Sequence, residues 1–155
     1  MPILPPDRLD EVGATLLAEG VVAIPTDTVY GLAALPTSIE AVRALADLKG
    51  REAQQPIAVL VDSVEAVAPH LIAPAALEAV ARFWPGALTA IVKARLGDLV
   101  PPVISEAATI GVRMPDDDLA RAVIRACGGV LAVTSANRHG RSEEHTSELQ
   151  SPGLI

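Results

Sequence analysis

Short, mostly apolar runs constrain the fold of this chain more than any other feature of its sequence. Residues 21–24 are wholly apolar, rich in β-branched residues and bounded by Gly20 and Pro25, and similar runs occupy 57–61, 88–92, 110–112 and 130–133. Such runs are too short for a helix and lack the polar alternation of a half-solvated strand, so each reads as a strand buried on both faces. Between them the apolar period becomes helical. Leu9, Val12, Leu16 and Leu17 form a stripe within residues 7–19, with Gly20 as the expected stop. Similar stripes are Ile39, Val42 and Leu45 within 38–48; Leu77, Val80, Ala81 and Trp84 within 75–84; and Leu119, Val123, Ile124 and Cys127 within 117–127. The alternation predicts an α/β (α+β) domain, with helices on both faces of a twisted, parallel or mixed sheet.

A length of 155 residues suits one such domain. No apolar stretch approaches the roughly 18 unbroken residues of a membrane span. The start, Met1-Pro2-Ile3-Leu4-Pro5-Pro6-Asp7, lacks the basic-then-apolar order of a secretory signal, so a cytoplasmic location without membrane partners is expected. Cys127 is the only cysteine, which excludes an internal disulfide and a cysteine-based metal cluster. Net charge is −7, opposite in sign to the broad basic footprint of a nucleic-acid binder.

The last fifteen residues differ from the rest. The string Arg141-Ser142-Glu143-Glu144-His145-Thr146-Ser147-Glu148-Leu149-Gln150-Ser151 is polar and without apolar period, and it resembles a translated sequencing-library adapter. The expected organisation is therefore a domain over 1–140, partial at its C-terminal end, and a non-native or disordered tail over 141–155. Without the tail's one arginine and three glutamates the net charge is −5.

Three polar segments follow apolar runs: Thr26-Asp27-Thr28, Arg113-Met114-Pro115-Asp116 and Thr134-Ser135-Ala136-Asn137. Loops at the carboxyl ends of strands bind ligands in open α/β sheets, so these segments are expected to share a crevice. Lys49 and Arg51 flank Gly50 after a helix; they read either as helix-end and solvated charges or as two arms of a phosphate clamp. Arg113 follows a buried run and needs an anion, from a structural ion pair or a ligand. Asp27 is the mirror case, or else caps a turn. Asp116-Asp117-Asp118 reads as helix capping before Leu119 rather than a metal site. His70 and His139 have no partner at metal-ligand spacing. Gly-x-Gly-x-x-Gly, Gly-x-x-x-x-Gly-Lys-Ser/Thr and Gly-x-Ser-x-Gly are all missing, which removes support for a Rossmann site, a P-loop and a nucleophile elbow.

Five blocks stand out: Ile24-Pro25-Thr26-Asp27-Thr28-Val29-Tyr30-Gly31-Leu32, Leu48-Lys49-Gly50-Arg51, Trp84-Pro85-Gly86-Ala87-Leu88-Thr89, Ile110-Gly111-Val112-Arg113-Met114-Pro115 and Thr134-Ser135-Ala136-Asn137. Taken together, they resemble the YrdC-like family of threonylcarbamoyl-AMP synthases across residues 7–140. The resemblance implies a mixed sheet and a nucleotidyltransferase. It would join L-threonine, bicarbonate and ATP into threonylcarbamoyl-AMP with release of pyrophosphate, with Mg2+ accompanying the ATP. A separate threonylcarbamoyl transferase would use the product on tRNA, so tRNA is an indirect partner. The resemblance also implies ATP contacts from Lys49, Arg51, Thr109, Ser135 and Asn137, and a threonine site at Thr26 and Arg113. No side chain is assigned a catalytic role, because the nucleophiles come from the substrates. Two positions depart from the family pattern: Glu52 stands where proline usually follows the arginine, and His139 where serine is common. Further elements are expected beyond Gly140, so the full-length parent is expected to be active and this exact chain weak or inactive. A YrdC-like domain of a hydrogenase-maturation carbamoyltransferase and a non-catalytic RNA-binding module are the competing readings. No zinc-binding or acylphosphatase-like segment supports the first, and the acidic charge opposes the second.

Overall fold

The computed structural model describes residues 8–28, 30–50 and 57–136. In chain order the elements are α1 (Leu9–Leu17), β1 (Val22–Ile24), β2 (Gly31–Ala34), α2 (Ile39–Lys49), β3 (Val59–Val61), α3 (Val64–Val67), β4 (Ala90–Lys93), β5 (Thr109–Arg113), α4 (Asp118–Ala126) and β6 (Val130–Ser135). The six strands form one mixed sheet in the order β1-β2-β6-β3-β5-β4. Only β3 and β5 are parallel; the other pairings are antiparallel.

Local chemistry sets the helix ends. Ser38 accepts a hydrogen bond from Ala41 N–H at the start of α2, and Asp117 does the same for Ala120 N–H at the start of α4, each satisfying an otherwise orphaned donor. Asp117 thus takes the capping role expected of the acidic run. Gly50 closes α2 at φ 75°, a left-handed geometry that suits a residue without Cβ. At α1 the stop comes earlier than Gly20: Glu19 takes the left-handed turn at φ 69°, and Gly20 N–H bonds back to Thr15 O.

Side chains alternate along the strands into two apolar clusters, one per face. Ala23, Leu32, Val59, Ile110, Val112 and Ala132 face α2 through Val42 and Leu45. Val22, Ile24, Ala33, Leu60, Leu131 and Val133 face α1 and α4 through Leu16, Val123 and Ile124, with Cys127 buried among them. Helices therefore lie on both faces, as the sequence predicts.

Three elements differ from expectation. β4 is not buried on both faces: it lies at the sheet edge, with Ile91 68% exposed. Residues 75–84 are not an α-helix but 3-10 turns at Pro74–Ala79 and Ala81–Phe83. Only Leu77 and Trp84 of the expected stripe are fully buried, so little apolar packing favours the longer helix. The strand β2 was not anticipated, because Gly31-Leu32-Ala33-Ala34 has no β-branched residue; pairing to both neighbours imposes its extended form. Among the described residues no helix is long and apolar enough to cross a membrane.

Candidate active site

Lys49, the last residue of α2, is 7% exposed. Its Nζ donates to Ser135 Oγ at 2.6 Å, joining the end of a helix to the end of β6 across 86 residues of sequence. Having accepted that bond, the serine oxygen keeps its own O–H to donate. An ammonium beside a hydroxyl donor suits an anionic oxygen such as a phosphate's. Thr109 begins β5, and its Oγ1 lies 2.7 Å from Ser105 Oγ. Because Val59 aligns with both Val112 and Ala132, Thr109 and Ser135 fall in one row at the same end of the sheet, on either side of β3. Arg51 and Asn137, the remaining expected nucleotide contacts, lie outside the described residues, as do Glu52, His139 and the 141–155 tail.

Arg113 closes β5 with 0% exposure. It alternates with Ile110 and Val112 and so points to the opposite face, together with Gly111, which abuts Ala58, Thr89 and Ile91. Its guanidinium grips Asp27 with both ends: Nη1 donates to Oδ2 at 3.1 Å and Nη2 to Oδ1 at 2.8 Å. Nη1 also donates to Gly86 O at 2.7 Å, and Nη2 to Thr28 Oγ1 at 3.3 Å. Burial pushes the Asp27 carboxyl up. The hydrogen bonds from Arg113 and from the backbone N–H groups of Asp116 and Asp27, with the arginine's charge, outweigh it and leave the group below the usual carboxylate range.

A short chain of contacts connects the two clusters. Thr28 Oγ1 lies 3.1 Å from Thr26 Oγ1. A Cβ placed on Gly31 would lie 3.7 Å from Thr26 Cγ2, and Gly31 pairs with Ser135 in the sheet. Thus Arg113, Thr28, Thr26, Gly31, Ser135 and Lys49 follow one another across one region.

The route to this arrangement differs from the one the sequence suggested. In the mixed sheet β5 runs opposite to β1 and β6, so Arg113 sits at the other end of the strands from Thr26 and Ser135. Four residues separate its row from that of Ser135, about 13 Å along the strand. The residues after β1 and the long arginine side chain meet over the face of the sheet, and not at a shared row of carboxyl ends. Asp27, Thr28 and Gly86 O are the site groups that the sequence did not assign. The charges of Asp27 and Arg113 were visible, but not that each is the other's partner.

Comparison with known proteins gives the family. The family model Sua5_yciO_yrdC, described as telomere recombination, matches residues 14–151. The chain belongs to the Sua5/YciO/YrdC family. A threonylcarbamoyl-AMP synthase of Bacillus subtilis is 37% identical over 144 residues, covering 91% of this chain and 41% of that protein. One from Thiobacillus denitrificans is 33% identical over 137 residues, covering 86% of this chain and 72% of that one. The crystal structure of P. abyssi Sua5 complexed with L-threonine matches with a TM-score of 0.80 at 30% identity, over 96% of this chain and 47% of that one. This Sua5/YciO/YrdC chain thus spans less than half the length of the Bacillus relative.

Proposed function

We propose that this chain carries the substrate-binding region of a threonylcarbamoyl-AMP synthase, a nucleotidyltransferase using L-threonine, bicarbonate and ATP. The observation that supports it most is the proximity of two clusters, Lys49 with Ser135 and the Arg113–Asp27 pair with Thr28 and, through it, Thr26, joined by Gly31. Relatives that bear the synthase name and a related structure holding L-threonine point the same way.

In this reading Lys49, Ser135 and Thr109, with Arg51 and Asn137, hold ATP, while Thr26 and Arg113 hold threonine. Threonine's amine adds to carbon dioxide derived from bicarbonate, loses a proton and becomes a carbamate. A carbamate oxygen then bonds to the α-phosphorus as the bond to pyrophosphate breaks. Both nucleophiles belong to substrates, so the protein supplies proximity and fixed donors rather than a covalent intermediate. Mg2+ accompanying the ATP would offset the charge of its phosphates. The product would pass to a separate transferase acting on tRNA in the cytoplasm.

Steady-state kinetics of variants in the full-length protein test the assignment. Loss of a charged hydrogen bond is worth about 1.5–3 kcal/mol, or about 10- to 100-fold. Lys49→Ala should raise KM for ATP by that order, and Arg113→Ala should raise KM for threonine. If both variants keep unaltered turnover and KM values, the site is elsewhere.

A further inference from the structure

Arg113 has five N–H donors, and a carboxylate offers roughly four lone-pair sites. Asp27 commits both of its oxygens to Arg113, Oδ2 to Nη1 and Oδ1 to Nη2. On Arg113 the two Nη groups make four bonds, to the two Asp27 oxygens, Gly86 O and Thr28 Oγ1. Among the described residues the buried Nε–H has no hydrogen-bond partner. Such an orphan costs free energy in an interior and calls for an explanation.

The edge of the fork that carries Nε also carries Nη2. The longest of the four bonds, 3.3 Å to Thr28 Oγ1, is on Nη2. Parallel N–H groups on one edge of a guanidinium match the two oxygens of a carboxylate. Thr26 Oγ1 lies 3.1 Å from Thr28 Oγ1, one hydrogen bond beyond Nη2. We propose that Asp27 is a positioning residue: it grips the Nη ends of Arg113 so that the Nε edge of the fork receives the amino acid's carboxylate. The inference rests on the function proposed above, and it assigns Asp27 no contact with substrate. Pairing with Asp27 also spares Arg113 from being a lone buried charge before substrate arrives.

Two measurements on the full-length protein test it. In the unaltered protein, the side-chain Nε–H resonance of Arg113, identified by its loss in Arg113→Lys, should shift on adding L-threonine. A resonance that stays fixed at saturating threonine overturns the proposal and needs no variant to fold. By calorimetry, Asp27→Asn should weaken L-threonine binding about tenfold or more. ATP affinity should change less than about threefold, and Asp27→Glu should recover part of the threonine affinity. Equal losses for both ligands, or threonine affinity unchanged in Asp27→Asn, would show a merely structural pair and overturn it. If the unaltered protein binds no threonine at all, the proposed function fails first and takes this inference with it.

Discussion

Arg113 and Asp27 form a charge pair whose partners are 1% and 14% exposed in their side chains, deep enough for the loss of one member to be costly. Arg113→Leu should destabilise the fold by about 1.5–3 kcal/mol in urea unfolding, because Asp27 and Gly86 O lose their charged hydrogen bonds. The pair also sets a pH dependence. With its pKa lowered in the folded state, Asp27 contributes stability that is present above its unfolded value of about 3.9 and lost as pH falls through the lower folded value. Asp27→Asn should therefore flatten the decline in urea midpoint below about pH 4, while leaving the profile from about pH 5 to 7 parallel to that of the unaltered protein. An identical acid limb in the two proteins would contradict the assignment. In the sequence each charge stands out because it follows a buried run, yet no local pattern links residues 86 apart. Their pairing arises only when the residues after β1 fold across the sheet.

Helix boundaries were legible because caps are local. Ser38 and Asp117 each bond an N–H three residues on, so Ser38→Ala and Asp117→Ala should each cost about 1 kcal/mol. The two caps sit on helices on opposite faces of the sheet, so the double variant should show the sum of the two losses. Strand β2 was not legible, since Gly31-Leu32-Ala33-Ala34 owes its extension to neighbours and not to its own preference. Gly31 shows what that strand is for. A Cβ there would lie 2.6 Å from Val133 Cγ1 and 3.4 Å from Thr134 O, so the absent side chain lets β2 pass the end of β6 closely. Gly31→Ala should cost about 1–3 kcal/mol, measured by urea unfolding, and Val133→Ala in the same chain should recover part of it. The 3-10 turns at Pro74–Ala79 and Ala81–Phe83 escaped the sequence reading for the converse reason: a helical apolar period was present, but the sheet buries too few of its positions to enforce the helix.

At the scale of the whole molecule, strand direction matters most. Alternating strands and helices gave the layers correctly, but alternation does not report whether a strand runs with or against its neighbour. Here β5 opposes β1 and β6, and an arginine at the far end of the strands joins the site only through its side chain. The end of α2 and the end of β6 bring Lys49 and Ser135 together, and Gly31 links the two groups. The central claim is that these clusters hold a nucleotide and an amino acid together for a single transfer. It is tested most directly by incubating the full-length protein with ATP, isotopically labelled bicarbonate and individual amino acids, and weighing the products by mass spectrometry. The account predicts a labelled threonylcarbamoyl adenylate formed with pyrophosphate, in threonine samples above all others, and its loss in Lys49→Ala. ATP turnover without a threonine-containing adenylate, or equal yields from every amino acid, would contradict it.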